Sequence, residues 1–265
     1  MKKMMMTLSL LTSLLLAGMA QATLVTQWKF DQSSTWNSAT FSAGGGSTLQ
    51  NASVISWGGT LDFHNNTGNG TSSRSGLEIT NGNILGGTVV TNGSAAVTNT
   101  ITHYNNTLSG AYATLTNAVL DTLLTLTPDL PNPGAALPPD LISFAIHFKE
   151  TPNQANCGFI TTSLCDDIFV IDSGALNNSF VYDGFTYYVS AFETTNKLQP
   201  LPAATCAVAG AAAGCLGFQT EEGKFTPAIF AFVITSTPVQ IPEPGLLALI
   251  GIGLLGLFLS RKQSS

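Results

Sequence analysis

Ile142-Ser143-Phe144-Ala145-Ile146-His147-Phe148 alternates bulky apolar residues with small or polar ones, a period of two that marks a half-buried β-strand. Ile142, Phe144, Ile146 and Phe148 are expected to face a core and His147 the opposite side. In both directions from this stretch the theme repeats. Short β-branched and aromatic runs are divided by Gly, Asn, Ser and Pro clusters, and helical periodicity is scarce. The runs predict strands at 24–30, 54–63, 77–80, 88–100, 112–126, 141–148, 167–171, 179–192, 216–219 and 228–236. Such a series predicts an all-β fold, a β-sandwich with jelly-roll-like topology.

The punctuation between the runs is also legible. Residues 40–48, with Gly44-Gly45-Gly46, and 64–76, nearly all Asn, Gly, Ser and Thr, read as loops. Pro128, Pro131, Pro133, Pro138 and Pro139 stiffen 128–140, which is expected to cross between sheets. The Ala/Gly-rich stretch 203–214 is expected to be a loop closed by Cys206 and Cys215. Four cysteines fall in two local pairs, Cys157 with Cys165 and Cys206 with Cys215; two short-loop disulfides are the first reading, although four cysteines permit three pairings. No C-x-x-C occurs and no histidine adjoins a cysteine, which argues against zinc.

Both ends carry addresses. Lys2-Lys3, the apolar run 8–19 and Ala20-Gln21-Ala22 form a secretory leader over residues 1–22, cleaved after Ala22. Residues 23–237 are the body, and 238–265 form a tail: Pro242-Glu243-Pro244, an apolar span 245–260 and the basic stop Arg261-Lys262. The span predicts a single hydrophobic helix. Fifteen residues from Gly245 to Leu259, at about 1.5 Å each, give ~22 Å, short of a ~30 Å hydrocarbon core. The two cations beyond it hold this end cytoplasmic. The two prolines keep the motif extended and accessible at the membrane face.

Pro242-Glu243-Pro244 with its apolar span and basic end resembles the PEP-CTERM sorting signal of Gram-negative bacteria that make extracellular polysaccharide. The resemblance implies processing near that motif by exosortase, after passage through the export translocon and a transient stay in the inner membrane. Within the body, Thr102-His103-Tyr104-Asn105 resembles the motif of the THxN family of PEP-CTERM proteins. Trp57-Gly58, Phe148-Lys149-Glu150-Thr151-Pro152-Asn153, Cys157 and Cys165-Asp166-Asp167-Ile168-Phe169-Val170 agree with it. That family brings a class and a location, a cell-surface or extracellular-matrix protein, and no biochemical activity.

Residues 23–240 hold five basic residues (Lys29, Arg74, Lys149, Lys197, Lys224) against fourteen acidic ones, a net charge near −9, and nucleic acid is not expected as a partner. A surface of Thr, Ser, Asn and Gly suits contact with neutral polysaccharide. His64, His103 and His147 are far apart in sequence and no H-E-x-x-H or G-x-S-x-G occurs, so no catalytic residue is assigned and no enzyme is expected. Paired carboxylates for glycoside hydrolysis would come from Asp166, Asp167, Asp172, Asp183 or Glu193. No cofactor is expected; a structural calcium would draw oxygens from Asp166 and Asp167, with six or more needed in all. For the four-residue motif the preferred reading is structural, with Thr102 and Asn105 bonding turn amides and His103 or Tyr104 packing an edge. The functional alternative places His103, Tyr104 and Asn105 on a binding face, stacking on a sugar. The sequence thus predicts an exported, non-catalytic surface or matrix protein associated with exopolysaccharide or biofilm, with a carbohydrate-binding module and then a polysaccharide hydrolase as alternatives.

Overall fold

The computed structural model describes residues 22–65, 71–153, 157–161, 165–172 and 176–239. Ala22 is exposed at its start. Ala20, the sorting motif Pro242-Glu243-Pro244, the hydrophobic helix expected over 245–260 and the basic stop Arg261-Lys262 lie outside the described residues.

In chain order the strands are β1 (Gln27–Phe41), β2 (Ser47–Gln50), β3 (Val54–Gly58), β4 (Arg74–Thr80), β5 (Asn83–Val90), β6 (Ala96–Tyr104), β7 (Leu115–Leu130), β8 (Asp140–Lys149), β9 (Asp167–Ile171), β10 (Asn178–Tyr182), β11 (Phe185–Glu193), β12 (Gln199–Pro200), β13 (Leu216–Thr220) and β14 (Phe225–Thr235), with one short helix, α1 (Ala203–Val208), between β12 and β13. They form two seven-stranded sheets, ordered β12-β13-β9-β8-β7-β1-β5 and β10-β11-β14-β6-β4-β3-β2. Strand pairs within each are antiparallel. Only β2-β3-β4, β7-β8-β9, β10-β11 and β12-β13 follow one another within a sheet; every other link changes sheet. The expected all-β sandwich is the fold observed.

The longest strands, β1 and β7, pair along most of their length and form the spine of the first sheet. Alternate residues of β1 point into the sandwich: Trp28, Phe30, Gln32, Ser34 and Trp36 are buried, while Lys29, Asp31 and Asn37 are exposed. That row explains how the core is divided. Trp28 and Phe30 join one apolar cluster with Val89, Leu126, Tyr187 and Phe232, and Trp36 joins another with Ile55, Trp57, Leu77, Ile101 and Phe148. Between them lies a polar belt, where Gln32 Nε2 donates to Ser34 Oγ, and Ser34 Oγ bonds Asn99 Oδ1 at 3.2 Å and Thr122 Oγ1 at 2.8 Å. The belt is why the sequence predicted a first strand ending at residue 30: beyond it the inward positions turn polar and the apolar alternation disappears.

Ile142, Ile146 and Phe148 of β8 are buried, Phe144 half-buried and His147 on the other face, as the alternation predicted. β9 is buried on both faces. Phe169 and Ile171 enter the interior, and Ile168 and Val170 are covered from outside by Ala209, Leu201, Val208 and Phe159. This cover corrects the reading of 203–214 as a loop, because Ala-rich sequence after Pro202 forms α1, held by the disulfide Cys206–Cys215. The second disulfide is Cys157–Cys165.

Five further expectations are corrected. The runs 88–100 and 179–192 are each two strands, split by turns at Asn92, whose φ is +59°, and at Asp183-Gly184, with φ of +47° and +78°. Residues 40–48 and 64–76 contain strand at 40–41, 47–48 and 74–76. The proline-rich stretch does not cross between sheets. It joins β7 to its neighbour β8, and Leu137, Pro138 and Pro139 lie against β10 of the other sheet, lining an open cleft of about 360 Å³ with Phe180 and Val181.

Candidate functional site

The Thr102–Asn105 motif is the end of β6 and its first following residue, and the strand's alternation sends its members to opposite sides of the second sheet. His103 and Asn105 go inward and are fully buried, while Tyr104 goes outward and is half-buried. Thr102, in strand, is buried beside Glu78 of β4 in register. The motif therefore forms no single face. The sugar-stacking reading fails for His103 and Asn105, and the turn-amide reading is corrected too: Asn105 Nδ2 donates to the carbonyl of Thr220, 2.9 Å away at the end of β13 in the opposite sheet.

Inside, segments distant in sequence converge. His103 stacks on Trp57, ring centroids 6.3 Å apart at 14°, and meets Phe148 edge-on at 4.9 Å. Trp57 Nε1 donates to Glu150 Oε2 at 2.7 Å, a hydrogen bond that joins the two sheets. Asp167 opens β9; its Oδ1 accepts from Thr151 N at 2.8 Å and Thr151 Oγ1 at 3.2 Å, and the same hydroxyl donates to Cys165 O at 2.6 Å. Gly58, beside Trp57, has φ +117°, and a Cβ there would come within 2.8 Å of Leu108 and 2.7 Å of Ser73 O, so this bend demands glycine.

The charges in this cluster are set by burial. Burial drives the His103 imidazole down to about 3, so it is neutral at ordinary pH. At 3.7 Å, Asp167 Oδ2 and the neutral His103 Nε2 make neither an ion pair nor a hydrogen bond. Burial lifts Glu150 to about 8, against the opposing hydrogen bonds with Trp57 and Asp167. Asp167 is raised as well, by burial first and then by the charge of Glu150. Burial thus favours the protonated form of both carboxyls. Burial also raises Glu222, opposed by a hydrogen bond with Thr107.

Asp166 is buried next to Asp167, with its amide donating to Thr161 Oγ1 at 2.9 Å. Among the described residues no group of three or more His, Cys, Asp or Glu side chains is arranged to hold a metal ion. Asp172 and Asp183 lie outside this cluster, just after β9 and on the β10–β11 turn. Glu193 caps a turn, accepting from the amides of Thr195 at 2.6 Å and Lys197 at 2.8 Å. The interior cluster, with Trp57, His103 and Asp167 fully buried and Glu150 half-buried, ties the two sheets together.

Outside, the same strand end carries a second cluster that sequence reasoning missed. Tyr104 OH donates to Glu78 Oε2 at 3.3 Å, and His64 bridges Glu78 Oε2 at 3.1 Å and Asp62 Oδ1 at 2.7 Å. Burial alone would lower His64, but the hydrogen bonds and charges of Glu78 and Asp62 prevail and raise it, because only the protonated ring donates to both. Phe63 lies over Gly76, where a Cβ would be 3.0 Å from its ring, and touches Tyr104 at 5.4 Å. Asn106 Nδ2 holds that turn through Phe63 O at 2.8 Å and Arg74 O at 2.7 Å. Phe225, the register partner of Tyr104 on β14, lies 5.8 Å from it and is 64% exposed. The available signal was the outward parity of Glu78, within β4, with Tyr104 and Phe225 at the paired ends of β6 and β14.

No curated protein matches the chain. Residues 240–262, directly after the sandwich, match the family model of the PEP-CTERM protein-sorting motif, so the chain is an exported protein that carries this motif and is sorted through the membrane.

Proposed function

We propose that the chain is a THxN-type sandwich released by exosortase at Pro242–Pro244 to the cell surface or extracellular matrix, where it acts without catalysis in association with exopolysaccharide or biofilm. The sorting motif behind a disulfide-bonded all-β body is the observation that carries this reading. The THxN assignment is supported by convergence: Trp57, His103, Phe148, Glu150 and Asp167, drawn from four separate segments of the resemblance, meet in one cross-sheet cluster. The non-catalytic role is supported by the carboxylates themselves, with Asp167 fully buried, Glu150 half-buried and bonded to Trp57, and Glu193 spent on backbone amides.

The test is replacement of both Pro242 and Pro244 by alanine in the native host. The expected outcome is a longer chain retained in the membrane fraction. Unchanged size and an unchanged extracellular share would overturn the proposal.

A further inference from the structure

We propose that the outer face around Tyr104 is a binding site for a neutral pyranose unit of a polysaccharide, with Phe225 and Tyr104 as the stacking platform and Glu78, His64 and Asp62 as its polar rim. The inference rests on the matrix reading above and gives it a point of contact. Three features carry it.

The first is an exposed aromatic surface. The rings of Phe225 and Tyr104 are tilted by only 33° at 5.8 Å, and Phe225 is among the most exposed large apolar side chains of the described body. A ring left this open forgoes the stabilisation of burial, and a ligand that covers it recovers that stabilisation. The second is rigidity. Phe63 packed over Gly76, Asn106 holding the Phe63 and Arg74 carbonyls, and the shared Glu78 acceptor fix the platform before any ligand arrives.

The third is the chemistry of the rim, which selects among occupants. Asp62 and Glu78 present carboxylate oxygens beside the rings, with side chains 68% and 21% exposed. An apolar peptide would strip water from these carboxylates without returning hydrogen bonds. A uronate or sulfate polymer would meet like charge. A neutral pyranose matches both parts, because its C–H face covers an aromatic ring while its hydroxyls donate to carboxylates. The partner is therefore a neutral glycan rather than an apolar or anionic chain.

The experiment measures retention of the exported chain, as recovered from cells, on immobilised neutral glucan, mannan, galactan and xylan, with alginate as the anionic control. Retention on at least one neutral polymer is expected, weakened about ten-fold by Phe225→Ala and by Glu78→Gln. Phe225 is exposed, so its replacement should leave folding intact, which the far-UV circular dichroism and both disulfides check. Retention on none of the neutral polymers, stronger retention on alginate, or equal binding by a folded Phe225→Ala chain would overturn the site. Such a failure leaves sorting untouched, since delivery is read separately from the proline variants by fractionation.

Discussion

His103 and Glu150 are both ionisable side chains that the fold keeps uncharged, and each makes stability depend on pH in its own direction. Glu150 is held at about 8 in the fold against an ordinary 4.5. The folded state therefore keeps a proton that the unfolded chain loses, and this contribution is complete below about pH 4.5 and is lost as pH rises through 8. Asp167 acts in the same sense. His103 is depressed to about 3 from 6.5, so its contribution is complete above 6.5 and is lost as pH falls toward 3. Tm scans from pH 4 to 9 should fall at both extremes. Glu150→Gln preserves an acceptor for Trp57 Nε1 and removes the ionisation, so its alkaline decline should be shallower by on the order of 2 kcal/mol by pH 9. A parallel decline in wild type and variant would contradict the assignment.

At the scale of the element, β6 shows what a strand does to a sequence motif. Four consecutive residues look like one site in the sequence, yet alternation gives His103 and Asn105 to the interior and Tyr104 to the surface. Asn105→Ala, which removes the donor to Thr220 O, should cost about 1–3 kcal/mol in chemical denaturation, whereas the outward Tyr104→Phe should cost under about 1 kcal/mol. α1 and its disulfide cover only β9, so replacing both Cys206 and Cys215 by serine should lower stability by about 2–3 kcal/mol and leave the β-sheet circular dichroism unchanged.

β8 was legible because alternation gives it one apolar face, and β9 because its short run Ile168-Phe169-Val170-Ile171 is apolar on both; each stands close to where the sequence put it. What stayed hidden has physical causes. The polar belt of Gln32 and Ser34 broke the alternation of β1, and short strands such as β2, wholly exposed, had no apolar face to announce them. The interior partnership of Trp57, His103, Glu150 and Asp167 depends on contacts between sheets, which no local spacing encodes.

Across the whole molecule, the belt divides the interior into two apolar clusters that share the spine of β1 and β7. Leu77→Ala in one cluster and Leu126→Ala in the other should each cost about 2–4 kcal/mol, and the double variant should lie within roughly 0.5 kcal/mol of their sum. A larger coupling would mean that the clusters act as one core. This body is closed by two disulfides, and the sorting motif that follows it marks the chain for export. The most direct test of that account is the intact mass of the chain recovered from the envelope and medium of its host. A polypeptide beginning at Thr23 and ending near Pro242–Pro244 is the predicted result; a full 27.6 kDa chain found only in the cytosol, with both ends uncut, would contradict it.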